Sequence, residues 1–387
     1  MFRKIIDIAG RECRQMYGNT IYLFCMVLFP AFVVVFFTTL LDSGQPVNLP
    51  IGIVDQDNTS TTRSLEQQLD AFQSTRIAAH YTTPNEARIA MQRGDIYAFL
   101  YIPKGTTAGL MSSAQPKVSF YYNDVVMLAG STAMKDLKTI CTLGSAAVGK
   151  TKLEMLGKTE DEIMTFLQPI KVDLHMLTNP WANYNVYLSA SIVPGILMLF
   201  IFLITPYSIG TELKFGRSKE WMQMAGNNPF IALCGKILPQ TLIHLLVFYG
   251  FEFYIYHILQ FPHPGGVVPI LLLGLMAVLS AQAFGIFCFG LLPSLRMSMS
   301  VCSLWAVLSI SLAGATYPVF AMDPFIQSVS WLFPLRHYYQ CYQVCIFNGF
   351  GLHYVWINWV CLLCFMFLPL FVLRNIRKAM LEYVYVP

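Results

Sequence analysis

Six long apolar runs constrain this chain more than any other feature of its sequence. They fall at about 20–41, 186–210, 231–259, 267–292, 299–317 and 354–373. A membrane-spanning helix needs roughly 20 predominantly apolar residues, and each run is near or above that length. The chain has 56% hydrophobic and only 12% charged residues, against roughly 25% charged in ordinary soluble domains. That deficit points to bilayer solvent rather than to a large soluble core. A net charge of +4 is too small and too dispersed for a nucleic-acid binder.

Basic residues orient the runs. The short segments expected inside hold Arg3, Lys4, Arg11, Arg14, Lys214, Arg217, Lys219, Arg296, Arg374, Arg377 and Lys378, and the short outer loops hold only Arg336. Short Lys/Arg-rich loops stay on the cytoplasmic face, so this asymmetry predicts six spans with both termini inside. Residues 1–19 set basic side chains among Ile5, Ile6, Ile8 and Met16. At helical spacing they make an amphipathic helix lying on the inner surface; a plain positive flank for the first span is the alternative. Pro30 predicts a kink in that span. Residues 318–353, broken by Pro318, Pro324, Pro334, Gly349 and Gly351, read as short helices re-entering the outer leaflet.

The segment between the first two spans, 42–185, differs in kind. Residues 42–183 hold 12 Lys/Arg and 14 Asp/Glu and no spanning run. LPIGIVDQD (49–57), IYAFLYIP (96–103) and KVSFYYND (117–124) read as strands, with turn roles for Asp55 and Asp57. STTRSLEQQLDAF and NEARIAMQRGD read as helices, the first capped by Ser60 or Thr61 and the second ended by Gly94. Residues 127–175 read as mainly helical. The fold class is therefore an α-helical integral membrane protein of six transmembrane helices with an inserted α/β extracytoplasmic domain. Only Cys141 of the ten cysteines lies in that domain, so it forms no internal disulfide. Cys361 and Cys364 share an apolar helix face, which argues against a redox or metal role.

Three patterns carry possible chemistry. GSAAVGKT (144–151) satisfies the P-loop spacing, but a P-loop must follow a buried strand and open a helix. Here the preceding residues read as helix, so a nucleotide site is rejected. Glu252 lies in the third run with His257 about a turn away and His244 two turns back. A carboxylate there is costly and marks a candidate substrate or proton path; an interfacial carboxylate satisfied by water or a neighbouring helix is the plainer reading. Arg336 and His337, in LFPLRHYYQ, read as part of an interfacial aromatic belt or as recognition of an anionic or amphipathic substrate. No metal spacing or catalytic set accompanies them.

The short charged stretch TELKFGRSKEWMQMAGNNP (211–229) links the second and third runs. It resembles the E-x-x-x-G-T-x-E-x-L-x-x-x-P element of the permease subunits of type 2 ABC exporters, through Glu212, Gly216, Glu220 and Pro229. It departs from that element with Arg217 and Ser218 after Gly216. LPIGIVDQDNTSTTRSLEQQL resembles the start of the external domain in the family variant that carries a large one. Gly94, Ala98, Ile102, Pro103 and Gly105 resemble its later segment, and Pro318, Pro324, Pro334 and Leu335 its outer re-entrant region. The resemblance implies a transport subunit, not itself an enzyme, that exports drug- or lipid-like substrates from a bacterial inner membrane. It implies cytoplasmic ATP-binding subunits that hold ATP and Mg, with no cofactor in this chain. It also implies a second permease, as homodimer or paralogue, and in some relatives a periplasmic adaptor and outer-membrane channel. Segment 211–230 would be a coupling helix touching the ATPase through Glu212, Lys214, Gly216, Arg217, Glu220 and Trp221. A membrane-anchored envelope sensor or assembly factor is the alternative that the external domain leaves open.

Overall fold

A computed structural model describes residues 1–384 apart from Ser113, Lys171, Val172, Leu174, Met176 and Leu177. It divides into two units, Met1–Asp42 with Leu177–Pro387, and Ser43–Met176. Among the described residues, six helices are long and apolar enough to cross a membrane: Thr20–Leu40, Tyr184–Lys214, Pro229–Ile258, Val267–Leu291, Leu295–Leu312 and Leu352–Glu382 (spans 1 to 6).

The amphipathic expectation for the N-terminus takes the form of a helix, Phe2–Tyr17, that buries Ile8, Glu12 and Met16. Those positions recur every four residues, so they share one face. That face packs on the start of span 3, where Gly235 permits the approach. A Cβ there would sit 2.7 Å from Ile8 Cβ and 3.0 Å from the Ile5 carbonyl oxygen. Asn19 then starts span 1 by accepting the Ile21 N–H at 3.0 Å, the usual work of an N-cap amide. Pro30 has no N–H to donate, and its ring crowds the carbonyl four residues back. The chain answers with one π turn, Phe24–Leu28, around that carbonyl.

Spans 2 and 4 form the centre, with 67% and 72% of their most apolar windows buried, against 22% and 17% for spans 1 and 6. Asn183 and Asn228 cap spans 2 and 3 through their side-chain oxygens. Span 2 is expected to end near 210 but continues to Lys214. Span 5 starts earlier than expected, at Leu295, and ends at Leu312. Span 6 runs on through the expected tail to Glu382, with Pro369 interrupting its hydrogen-bond ladder. Hydropathy marks where apolar solvent stops, whereas a helix stops where its backbone ladder is capped. Between spans 5 and 6, Pro334–Cys341 and a π turn, Tyr342–Phe347, enter the main core through Leu335, Tyr338 and Ile346.

The inserted unit is a four-stranded sheet of order β2-β1-β3-β4. β1 (Leu49–Asp55) pairs in parallel with β2 (Thr75–His80) and with β3 (Ala98–Ile102). β4 (Ser119–Tyr122) is antiparallel to β3. Successive side chains leave opposite faces of a strand. Ile51, Ile53 and Leu100 pack on Leu69 and Leu137, while Val54 and Phe99 pack on Ala87. Thr59, rather than Ser60 or Thr61, caps Ser60–Asp70, and Gly94 ends Pro84–Arg93 at φ +86°. Asp55 accepts the N–H groups of Asp57 and Asn58, and Asp57 accepts those of Gly105 and Thr107. Hydrogen bonds from Thr107, first, and from Gly105 hold the Asp57 carboxyl below the usual range. GSAAVGKT lies inside one continuous helix, Met127–Met155. Its backbone N–H groups are therefore held by that helix rather than gathered into a phosphate cradle.

Candidate functional site

The 211–229 stretch folds as the end of span 2, a turn, the short helix Ser218–Met224 and the cap of span 3. Gly216 makes the first turn at φ +67°, a left-handed conformation that a residue with a Cβ adopts reluctantly. The Arg217 N–H then returns to the Glu212 carbonyl at 2.9 Å, and the Gly216 N–H to that of Leu213. This is the double closure of a glycine-terminated helix. Gly226 at φ +67° and Asn227 at +59° make the second turn.

Beneath the loop lies a closed ionic cluster. Arg11 donates to both oxygens of Glu212, Nη1 to Oε1 at 2.9 Å and Nη2 to Oε2 at 2.8 Å. Lys236, fully buried in span 3, donates to Glu12 at 2.5 Å and to Glu212 at 2.8 Å. Gln240 supplies the other Glu12 oxygen at 2.9 Å. With its amide nitrogen turned toward Glu212, Gln15 reaches Oε1 at 3.1 Å. The Trp221 ring covers Lys236, whose Nζ is 5.4 Å from the ring centroid. Two cations and two carboxylates thus balance, with Glu12, Glu212 and Lys236 closed to solvent and Arg11 at the edge. Burial alone would lower the Arg11 pKa, but its bonds and charge pairing with Glu212 outweigh that and raise it.

Sequence reasoning selected Glu212 and Trp221 as contacts for a partner, and the structure buries both beneath the loop. Lys214, Gly216 and Glu220 are exposed and Arg217 is half-buried. The Lys214 and Arg217 cations flank Phe215, at 5.6 and 5.0 Å from its ring centroid. Arg11, Glu12, Lys236 and Gln240 were missed. Lys236 was the legible signal, a lone lysine inside a spanning run, where an ionisable group needs a reason.

The other candidates do not converge. Glu252 is buried, and its Oε2 has no partner among the described residues. His257 is exposed and stacks on Phe253 at 4.8 Å, so the two form no relay pair. Arg336 lies over Trp331 at 4.6 Å and donates to the Gln327 carbonyl at 3.3 Å. Burial lowers its pKa. His337 is fully buried, with Nε2 2.9 Å from the Trp331 carbonyl and Nδ1 2.9 Å from the Asn358 amide oxygen. Burial holds its pKa below the ordinary histidine value. Arg336 braces the segment between spans 5 and 6 internally, and His337 ties it to span 6 through Asn358. No group of three or more potential metal ligands occurs among the described residues.

Six spanning helices, an α/β insertion between the first two, and a charge cluster under a cation-rich loop define a multi-pass membrane protein. The family model described as ABC-2 family transporter protein matches residues 20–373, and the chain belongs to that family. No curated protein matches it.

Proposed function

We propose that this chain is the membrane-spanning subunit of an ABC exporter, moving hydrophobic or amphipathic molecules with ATP hydrolysed by a separate subunit. Both termini and the 215–228 loop are then cytoplasmic and the α/β unit is extracytoplasmic. Two such subunits pair, and each receives force from one ATP-binding subunit.

One observation supports this reading: buried ion pairs join the N-terminal helix to spans 2 and 3, and Trp221 of the loop lies over Lys236 at their centre. A push on the loop therefore reaches Lys236 through the Trp221 ring and passes on to three elements through charge-assisted bonds. Lys214, Gly216, Arg217 and Glu220 are the surface that meets the ATP-binding subunit. Glu212 and Trp221 act behind it, carrying displacement inward. Glu252, His257, Arg336 and His337 contribute no common surface to a substrate path.

Charge reversal tests the loop in the copurified complex. Glu220→Lys and Arg217→Glu are expected to abolish substrate-stimulated ATP hydrolysis while leaving the melting temperature of the membrane subunit unchanged. Undiminished stimulation in both variants would overturn the assignment.

A further inference from the structure

Four elements converge on a cleft of about 870 Å³ at the start of span 1. The N-terminal helix contributes Arg11 and Arg14, and span 2 contributes Tyr207 and Lys214. The loop after span 2 adds Arg217 and Glu220. Arg11 is already committed to both oxygens of Glu212. Arg14, Lys214, Arg217 and Glu220 make no ion pair among the described residues. Three free cations against one free carboxylate leave the cleft with a net charge of +2. Like charges gathered in a concavity repel one another, and the field they focus there favours an anion.

A neutral donor completes the wall. Asn19 Oδ1 accepts the Ile21 N–H at 3.0 Å, which fixes the orientation of its amide. Nδ2 then donates to the Tyr207 hydroxyl at 3.2 Å. The phenol is the acceptor in that bond, so its own hydrogen is left to donate, and no acceptor for it occurs among the described residues. Tyrosine is enriched at the level of lipid headgroups, and basic pockets on the cytoplasmic side bind them.

The cleft opens where the chain enters hydrocarbon. Ile21 lines it and is 46% exposed, and Phe24, Leu28 and Phe32 follow along span 1, all exposed. An anion held here has apolar surface beside it, which suits an amphiphile better than a free ion or an acidic protein segment. We propose that the cleft binds the phosphate of an anionic inner-leaflet phospholipid, with its acyl chains along the exposed side of span 1. Arg14, Lys214 and Arg217 balance the phosphate charge, and Tyr207 donates to one of its oxygens. The choice of leaflet rests on the cytoplasmic placement of the loop proposed above; the site itself needs no ATP-binding subunit. Lys214 and Arg217 border the surface assigned to that subunit, so the tests stand at Arg14 and Tyr207, which that surface does not use.

Native mass spectrometry of the purified full chain in detergent counts bound lipid for two probes with the same acyl chains, phosphatidylglycerol and phosphatidylcholine. Phosphatidylglycerol is expected to bind the more tightly. Arg14→Gln is expected to weaken its binding about five-fold and Tyr207→Phe about two- to three-fold, with phosphatidylcholine binding unchanged in both. Arg14→Lys keeps the charge and is expected to retain most of the affinity. Millimolar inorganic phosphate is expected to leave the lipid in place. Equal binding of the two lipids would overturn the site, as would phosphatidylglycerol binding indifferent to Arg14→Gln or to Tyr207→Phe. Displacement by inorganic phosphate would assign the cleft to the free ion. Loss of the lipid on adding the ATP-binding subunit would assign it to that subunit, and either result overturns the lipid site.

Discussion

Span 3 carries two kinds of buried polar group, and the contrast between them separates what holds the fold from what does not. Lys236 is saturated by Glu12 and Glu212. Sixteen residues further along, about 24 Å at helical rise, Glu252 Oε2 has no partner among the described residues, and His244 Nε2 between them has none either. The two oxygens of Glu252 instead lie 3.2 Å from where a Cβ on Gly274 would be. A paired charge resists removal because its partners would be stranded; an unpaired one strands nothing when it goes. The same helix therefore holds one site where substitution is severe and one where it is mild.

The largest expected effect is at Lys236. Lys236→Met removes a cation that two carboxylates share and is expected to lower stability by about 3–5 kcal/mol. Thermal melting of the detergent-solubilised protein reads this as a clear fall in transition temperature. Adding Glu12→Gln leaves the Arg11–Glu212 pair balanced and is expected to recover most of the loss. Additive losses in the double variant would show that the cluster does not behave as a unit. An unchanged melt for Lys236→Met would remove the contrast altogether.

The opposite end of the comparison is Glu252→Gln. Replacing a carboxyl whose Oε2 makes no hydrogen bond among the described residues is expected to change stability by less than about 1 kcal/mol, or to raise it. A loss as large as that at Lys236 would mean that Glu252 has a partner as strong as the Glu12–Lys236 pair. Measured side by side, the two single variants sharpen the distinction without any assay of transport.

Much of the fold was legible because bilayer thickness fixes the length of an apolar run, and because the insertion changes composition abruptly at its borders. Gly94 as a helix end and 49–57 as a strand followed from local chemistry alone. The ionic cluster was not legible in that way. Hydropathy averages one lysine into its apolar neighbours, and counting basic residues by loop passes over a cation inside a span. Glu12 stands in a helix that attracts notice for its arginines. The partners are 224 and 24 positions from Lys236, and no local period encodes such a meeting. The segment LFPLRHYYQ suggested an interfacial belt, because Tyr, Arg and His favour that place. Its short helix instead packs into the core, where Arg336 and His337 find carbonyl, amide and ring partners within the chain.

His337 supplies the smallest and most specific test, since burial disfavours its charged form whereas Lys236 is buried between two carboxylates. Burial lowers its folded pKa below the ordinary value, so the unfolded chain binds a proton more readily than the folded one. The sign follows: stability at neutral pH is lost as pH falls below about 6.5. The contribution of this residue to the slope cannot exceed about 1.4 kcal/mol per pH unit. Melting curves of the protein and of His337→Gln between pH 7.5 and pH 5.5 isolate it, because the absolute stabilities cancel when only slopes are compared. The variant is expected to show the shallower decline. Identical slopes would mean that His337 takes up its proton equally well folded and unfolded, as a hydrated histidine does. The bonds to the Trp331 carbonyl and the Asn358 amide oxygen, which favour the protonated ring, would then offset the cost of burying its charge.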